Sequence, residues 1–279
     1  MPTVAARYVE LAERVAARLG SPRVRALHLP PAHAATAKDA DFLVVELEDG
    51  SFGFSYALTD TAEPSLRAFP DADTFAGTEA VVLARGFAGQ GRTARALGFA
   101  AINALSQHLF SRANWMPTAA GDSLGEIEPN SGEHIGMIGL FRPLVARVKE
   151  AGARLTVLEL KPELAGEHEG FRVTLDPADL ASCDKVVSTC AVMLNDTLDE
   201  VLAACRHARY LALIGPTAGC LPDPLFARGV DAIGGRRVIA AQGFRDAFRR
   251  GEKWGSFAMK YVISRQHYPG VDALLDRAG

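Results

Sequence analysis

HIGMIGLFRPLVARVKEAGARLTVLELKP, residues His134 to Pro162, is the stretch on which the fold turns. Ile135 to Leu140 is short, apolar and punctuated by glycine, the signature of a buried strand. Pro143 suits the first turn of a helix, where a missing N–H costs nothing. Leu144, Val145 and Val148 then repeat at helical spacing, and Gly152 supplies the stop. Leu155 to Leu160 is a second apolar run, with an acid, Glu159, near its end. Strand, glycine turn, helix and strand make a βαβ unit, whose right-handed crossover leaves the two strands parallel.

In open α/β sheets, ligands bind outside the carboxyl ends of the strands, near the switch in strand order. That rule points to the turn after Gly139 and to the tip near Glu159. The dinucleotide fingerprint is a poor match: Gly136 and Gly139 are followed by Leu-Phe-Arg-Pro rather than by the spacing G-x-G-x-x-G. The same glycines would serve equally well to let strand and helix approach.

The chain has 279 residues, 48% of them hydrophobic and 23% charged, enough to bury a sizeable core. Its formal net charge of −3, with scattered arginines, indicates neither a nucleic-acid footprint nor a membrane-seeking surface. No apolar run is long enough to span a bilayer. Glu10 and Glu13 interrupt any signal-peptide pattern, so the expected location is cytoplasmic. Cys183, Cys190, Cys205 and Cys220 are then expected to be reduced, and they show no C-x-x-C spacing.

Upstream, Val4, Tyr8, Leu11, Val15 and Leu19 share a helical face, with Thr3 as cap and Gly20 as stop. Arg23 to Leu29 reads as a strand. Pro30 to Asp39 reads as a loop, with His28 and His33 as ordinary surface histidines. Glu48-Asp49-Gly50-Ser51 between Phe42–Leu47 and Phe52–Leu58 signals a hairpin. Leu58 to Phe75, with Pro64 and Pro70, reads as loop. Thr78–Arg85 is a helix, Gly86–Gly91 a break, and Thr93–Phe110 a long helix with a face of Leu97, Ala101, Ala104, Leu105 and Leu109. This makes residues 1–115 a smaller α+β domain. The polar stretch around Asp122, residues 116–133, reads as a linker, and residues 134–279 as an α/β domain with a parallel sheet.

Within that second domain, Glu163–Gly170 is a charged loop, Pro177–Ala181 a short helix and Lys185–Thr189 a strand. Thr197 with Glu200 fits a capping box before the stripe Leu198, Val201, Leu202 and Cys205. Leu211–Ile214 and Val230–Ile233 are further strands, the latter ending at Gly234-Gly235. The tail from Phe244 to Ala278 reads as mostly helical, broken at Trp254-Gly255.

Three loops should meet at one sheet edge: Gly139–Arg142, Thr189–Thr197 and Gly215–Cys220. Backbone N–H groups at helix starts attract anions, and Asn195 and Thr197 add side-chain partners. Plain capping by Asn195, Asp196 or Thr197, worth about 1 kcal/mol, explains the same residues. Cys190 and Cys220 lie just beyond strand ends. As paired thiolates they would favour a soft or borderline transition-metal ion; as ordinary free cysteines they are small buried hydrophobes. Asn103, inside an apolar run, needs partners if buried, and either joins the domains or reaches the cleft. No Ser-His-Asp order, H-E-x-x-H or Walker loop is present, so the spacing marks a site without naming a reaction.

Ile135-Gly-Met-Ile-Gly-Leu-Phe-Arg-Pro-Leu-Val, Val157-Leu-Glu-Leu, the run TCAVMLNDT at 189–197 and Gly215-Pro-Thr-Ala together resemble a domain family of unknown function labelled putative heavy-metal chelation. Ala100-Ala-Ile-Asn-Ala-Leu and Gly53-Phe-Ser-Tyr-Ala-Leu resemble the N-terminal domain that accompanies it. The resemblance implies an enolase-N-terminal-like domain followed by a Rossmann-like domain, with a cleft between them. It also implies that Gly139, Glu159, Thr189, Asn195, Thr197, Gly215, Pro216 and Thr217 surround that cleft, with Asn103 on the N-terminal side. Cys190 and Gly219-Cys220 depart from the family pattern, and those cysteines are the candidate metal ligands. The leading expectation is a protein binding a metal ion or a small metal-chelating molecule between its domains, with no nucleic-acid or membrane partner and homo-oligomerisation left open. The alternative is a Rossmann-like transferase, hydrolase or condensing enzyme acting on a pterin-, flavin- or siderophore-like molecule.

Overall fold

A computed structural model describes residues 2–31, 42–57, 74–121, 126–195 and 197–279. The readings made for the loop of His33, for the stretch of Pro64 and Pro70, and for Asp122 and Asp196 fall outside the described residues.

The first part of the chain forms α1 (Val4–Leu19), β1 (Val24–His28), β2 (Phe42–Leu47), β3 (Phe52–Tyr56), α2 (Ala80–Ala84) and α3 (Arg92–Arg112). Thr3 Oγ1 caps α1 by accepting from the Ala6 N–H at 3.2 Å. The three strands form an antiparallel sheet in the order β1-β2-β3. The rest forms β4 (Thr118–Ala119), β5 (His134–Ile138), α4 (Arg142–Glu150), β6 (Arg154–Leu158), β7 (Gly166–His168), β8 (Phe171–Thr174), β9 (Lys185–Thr189), α5 (Leu198–Ala204), β10 (Tyr210–Ile214), α6 (Asp223–Phe226), β11 (Ala232–Val238), α7 (Ala241–Arg250), β12 (Ala258–Ser264) and α8 (Val271–Ala278).

These strands build a nine-stranded sheet, β4-β12-β11-β10-β9-β5-β6-β8-β7. Its interior run from β11 to β8 is parallel throughout, and β12, β4 and β7 close the edges antiparallel. In chain order the parallel strands lie 3-2-1-4-5-6, the order of doubly wound sheets, with the reversal between β5 and β9. Side chains alternate across it. Ile135, Met137, Leu155 and Val157 pack with Leu144 and Val148 of α4 on one face. Ile138, Leu158, Val186 and Leu213 face the opposite layer with α5, α1 and α3.

Helix α3 is the seam. An amphipathic face was expected, yet every residue from Ala96 to Phe110 is buried. That stretch lies between the small sheet and the layer over the large one, so no side of it reaches water. Its polar residues are spent on neighbours: Ser106 Oγ accepts from the Leu221 N–H at 3.0 Å, and Gln107 Nε2 donates to Gly219 O at 3.1 Å and to the Tyr261 hydroxyl at 3.0 Å. Gly98 costs helix propensity, about 1 kcal/mol. It is required because a Cβ there would lie 2.3 Å from the Phe87 nitrogen.

The far face of the small sheet is covered by the C-terminal part of the chain. Val44, Phe52 and Phe54 pack against Phe244, Ala247, Phe248 and Trp254, with the Phe54 and Trp254 rings stacked at 5.1 Å.

Four readings are corrected. Gly234-Gly235 does not end β11, which runs on to Val238. Gly235 is needed mid-strand, because a Cβ would lie 2.5 Å from Ala218 O and 2.7 Å from the Tyr261 ring. The tail is not mostly helical, since Ala258–Ser264, carrying Tyr261-Val262-Ile263, returns antiparallel to β11 as β12. The charged loop Glu163–Gly170 contains β7, which pairs with β8. The stretch read as a linker contributes β4 to the large sheet and Ile127 to its core.

At the start of β5, His134 is buried. Its Nδ1 accepts from Arg154 Nη2 at 2.8 Å, so Nε2 carries the proton and donates to Thr156 Oγ1, also at 2.8 Å. Burial, reinforced by the Arg154 cation, holds its pKa below the ordinary 6.5. A depressed histidine stabilises the fold in its neutral form. That contribution is whole above pH 6.5 and is lost as pH falls below it. In His134→Gln, the difference in urea-unfolding free energy between about pH 7.5 and about pH 5.5 should shrink relative to the parent. An unchanged difference would remove His134 from the acid response.

Candidate functional site

The carboxyl ends of β5, β6, β9 and β10 open into a cavity of about 740 Å³. It lies at the point where the strand order reverses, where the topology rule puts a ligand. Gly139, Glu159, Thr189, Cys190, Asn195, Thr197, Gly215, Pro216 and Thr217 all line it. The three loops therefore converge. Asn103 and Cys220 do not line the cavity.

Each loop is held by local bonds. Gly139 takes φ +78°, its N–H donates to Leu158 O at 3.0 Å, and an added Cβ would crowd Thr189 Cγ2 at 3.1 Å. The Leu140 N–H donates to Glu159 Oε1 at 2.8 Å, so the acid of β6 clasps the turn after β5. Thr189 Oγ1 accepts from the Ala191 N–H at 3.3 Å and caps the short 3₁₀ turn Cys190–Met193. Asn195 Oδ1 accepts from both the N–H and the hydroxyl of Thr197, at 3.3 and 2.7 Å. The expected Thr197–Glu200 capping box is not formed, because the Thr197 hydroxyl is engaged by Asn195 instead. Several N–H groups that were expected to await an anion are thus already bonded within the chain. At α4, Pro143 has no N–H to offer.

The opposite wall comes from the first part of the chain. Phe42 and Tyr56, partners across the β2–β3 ladder, line the cavity together with Arg92 of α3. Phe141, Leu160, Lys161, Leu175 and Glu200 complete the mouth. Leu160 and Leu175 are 70% and 45% exposed, large apolar side chains left facing water at a cleft. Sequence reading missed these residues. Phe42 and Tyr56 looked like ordinary strand aromatics, and Arg92 adjoined what read as a break.

Asn103 stands behind the wall and joins the two layers. Its Nδ2 donates to Phe54 O at 2.6 Å and to Thr217 O at 2.8 Å. It therefore fixes the turn after β10 against the small sheet, while its buried Oδ1 has no hydrogen-bond partner among the described residues.

Of the two candidate cysteines, Cys190 lines the cavity and Cys220 lies outside it. Cys190 is 1% exposed and burial pushes its thiol well up. Cys220 is wholly buried, sits 3.1 Å from the Tyr8 hydroxyl, and is pushed up to about 12 by burial. Among the described residues, no three His, Cys, Asp or Glu side chains are grouped so as to hold a metal ion. The cleft offers two carboxylates, Glu159 and Glu200, with the threonines and Asn195 as neutral oxygen donors.

Among the described residues, no helix is long and apolar enough to cross a membrane. A crystal structure of a protein of unknown function from the DUF364 family of Pyrococcus horikoshii superposes with a TM-score of 0.68 at 19% identity, over 94% of this chain and all of that one. Another member, from Desulfitobacterium hafniense, gives a TM-score of 0.65 at 22% identity, over 91% and 98%. These likenesses establish the fold. An uncharacterized protein of Methanocaldococcus jannaschii is 32% identical over 151 residues, a match spanning 52% of this chain and 55% of that protein. Two family models carry the description "Putative heavy-metal chelation": DUF4213 matches residues 40–106, the segment of β2, β3, α2 and most of α3, and DUF364 matches residues 123–265. The latter covers the strands and loops that build the cleft floor, and by that match this chain belongs to the DUF364 family.

Proposed function

We propose that the protein binds a small metal-chelating molecule in the cleft between its two sheets, with most of the metal's ligands supplied by that molecule. The carrying observation is the composition of the cleft: apolar walls of Phe42, Tyr56, Phe141, Leu160 and Leu175 around a few fixed polar groups, led by Glu159. Such a lining suits an organic ligand that is mostly desolvated and oriented by a handful of contacts. A bare metal ion would need a set of deprotonated ligands that the described residues do not bring together. Glu159 supports the reading as an acceptor beside the bound group, since one oxygen is taken by the Leu140 N–H and a carboxylate has a second.

Native mass spectrometry on untagged protein tests this. The expected result is a bound organic mass carrying a metal, both leaving together on mild acidification. Glu159→Ala should lower its occupancy by roughly tenfold, the equivalent of one charge-assisted contact. A stoichiometric metal with no organic mass would overturn the chelate reading.

A further inference from the structure

A second cavity adjoins the cleft at Arg92. Arg92, Val192 and Asn195 line the cleft on one side and, on the other, line this second cavity of about 490 Å³. This annex runs along the start of α3 toward the beginning of α1.

Glu159, Glu200 and Lys161 line the cleft, Arg92 lines both lobes, and Arg95 lines the annex. The acid of the annex among the described residues is Asp199, and it accepts from Arg228. Arg95 is already oriented: its guanidinium lies 6.0 Å from the Phe87 ring centroid, and Nη2 reaches Met193 O at 3.5 Å. Arg92 is exposed and has no acidic partner among the described residues. Gly89-Gln90-Gly91 lines the annex beside these arginines. Gly91 takes φ +90° with nothing within 4 Å of where a Cβ would stand.

We infer that the ligand is two-ended: an apolar body occupies the cleft, and an oxyanion arm, carboxylate or phosphate, enters the annex and is held by Arg92 and Arg95. Guanidinium groups match the planar, forked geometry of oxyanions, and two of them beside a shared wall give the arm a defined direction. Arg92, common to both cavities, would mark where body and arm join. The inference rests on the cleft being a ligand site and not on the metal.

Isothermal titration of the full chain with citrate and with inorganic pyrophosphate, each without metal, tests it. At least one should bind, more weakly as salt is raised. Arg92→Ala and Arg95→Ala should each weaken that binding about tenfold or more. Arg277→Ala, which lines neither cavity, should leave it unchanged. Citrate binding alone identifies a carboxylate arm, and pyrophosphate binding alone a phosphate. If neither anion binds, or if binding survives both substitutions, the inference is wrong. Should Arg95→Ala fail to fold, the exposed Arg92 carries the test alone. Anion binding by a protein that retains no metal-bearing molecule would sink the proposed function and leave the annex standing; a retained chelate with no anion binding would do the reverse.

Discussion

Arg245→Met should cost about 3–5 kcal/mol of stability, a loss set by what it leaves behind. Glu46 on β2 is completely buried, and its carboxylate is held by a fork of Arg245 from α7, with Nη2 at 2.6 Å and Nε at 3.1 Å. His28 Nε2 donates at 2.8 Å, and Arg25 Nε lies 3.4 Å away. Burial alone would raise the acid's pKa; hydrogen bonds from His28 and Arg245 outweigh it and hold the pKa at about 2. Without Arg245, the carboxylate keeps its burial and loses its bidentate partner. Methionine preserves the packing of the stem, so the loss reports the charge. The pH dependence has a definite sign. A depressed acid stabilises the fold above its ordinary 4.5 and loses that contribution as pH falls toward about 2. The gap between parent and variant should therefore close over that window. Urea unfolding at several pH values measures it, and a loss below about 1 kcal/mol near neutrality would mean that the carboxylate finds water when the arginine is gone. Arg245→Lys should recover only part of the loss, because an ammonium cannot form the fork.

That ion cluster also shows where sequence reading stops. Glu46 and Arg245 are 199 positions apart, and nothing local in either marks the other. What was legible depended on short range. The βαβ unit followed from Pro143, Gly152 and two apolar runs, and the parallel pairing of β5 with β6 bears it out. The hairpin followed from Asp49-Gly50, and the caps of α1 from Thr3 and Gly20. The convergence of Gly139, Glu159, Thr189, Asn195 and Gly215 followed from the topology rule, because parallel strands must put their carboxyl ends on one side. The failures share a different cause. β11 was cut at Gly234-Gly235 because a glycine pair reads locally as a turn, whereas Gly235 is demanded by Tyr261 and Ala218, both distant in sequence. β12 was read as helix because a mostly apolar run of 7 residues is too short to tell a strand from a buried helix by its period. The far wall of the cleft, Phe42, Tyr56 and Arg92, comes from the first part of the chain, and only the docking of that part against the sheet reveals it.

The docking itself depends on one missing methyl group, and Gly53→Ala is the substitution expected to disrupt it. A Cβ at Gly53 would lie 2.0 Å from Ala100 O and 2.2 Å from the Ala104 nitrogen, both backbone atoms of α3. No rotamer change relieves such a contact, because neither partner is a movable side chain. Helix α3 would have to withdraw from β3, yet it is tied on its other side by Asn103 to Thr217 O and by Gln107 to Gly219 O. Withdrawal would also pull Asn103 from Phe54 O and unseat the turn after β10 that lines the cleft. The cost should be at least about 3 kcal/mol, the upper part of the overpacking range. Any folded fraction should bind the cleft ligand more weakly, because the turn has lost its support. Gly219→Ala is the matched control: its added Cβ would meet Asn103 Cβ at 3.4 Å, an ordinary contact, so its cost should stay below about 1 kcal/mol. Thermal and urea unfolding of the two variants side by side decide the matter. Equal stabilities would mean that α3 can move without consequence, and that the two sheets are not locked through it.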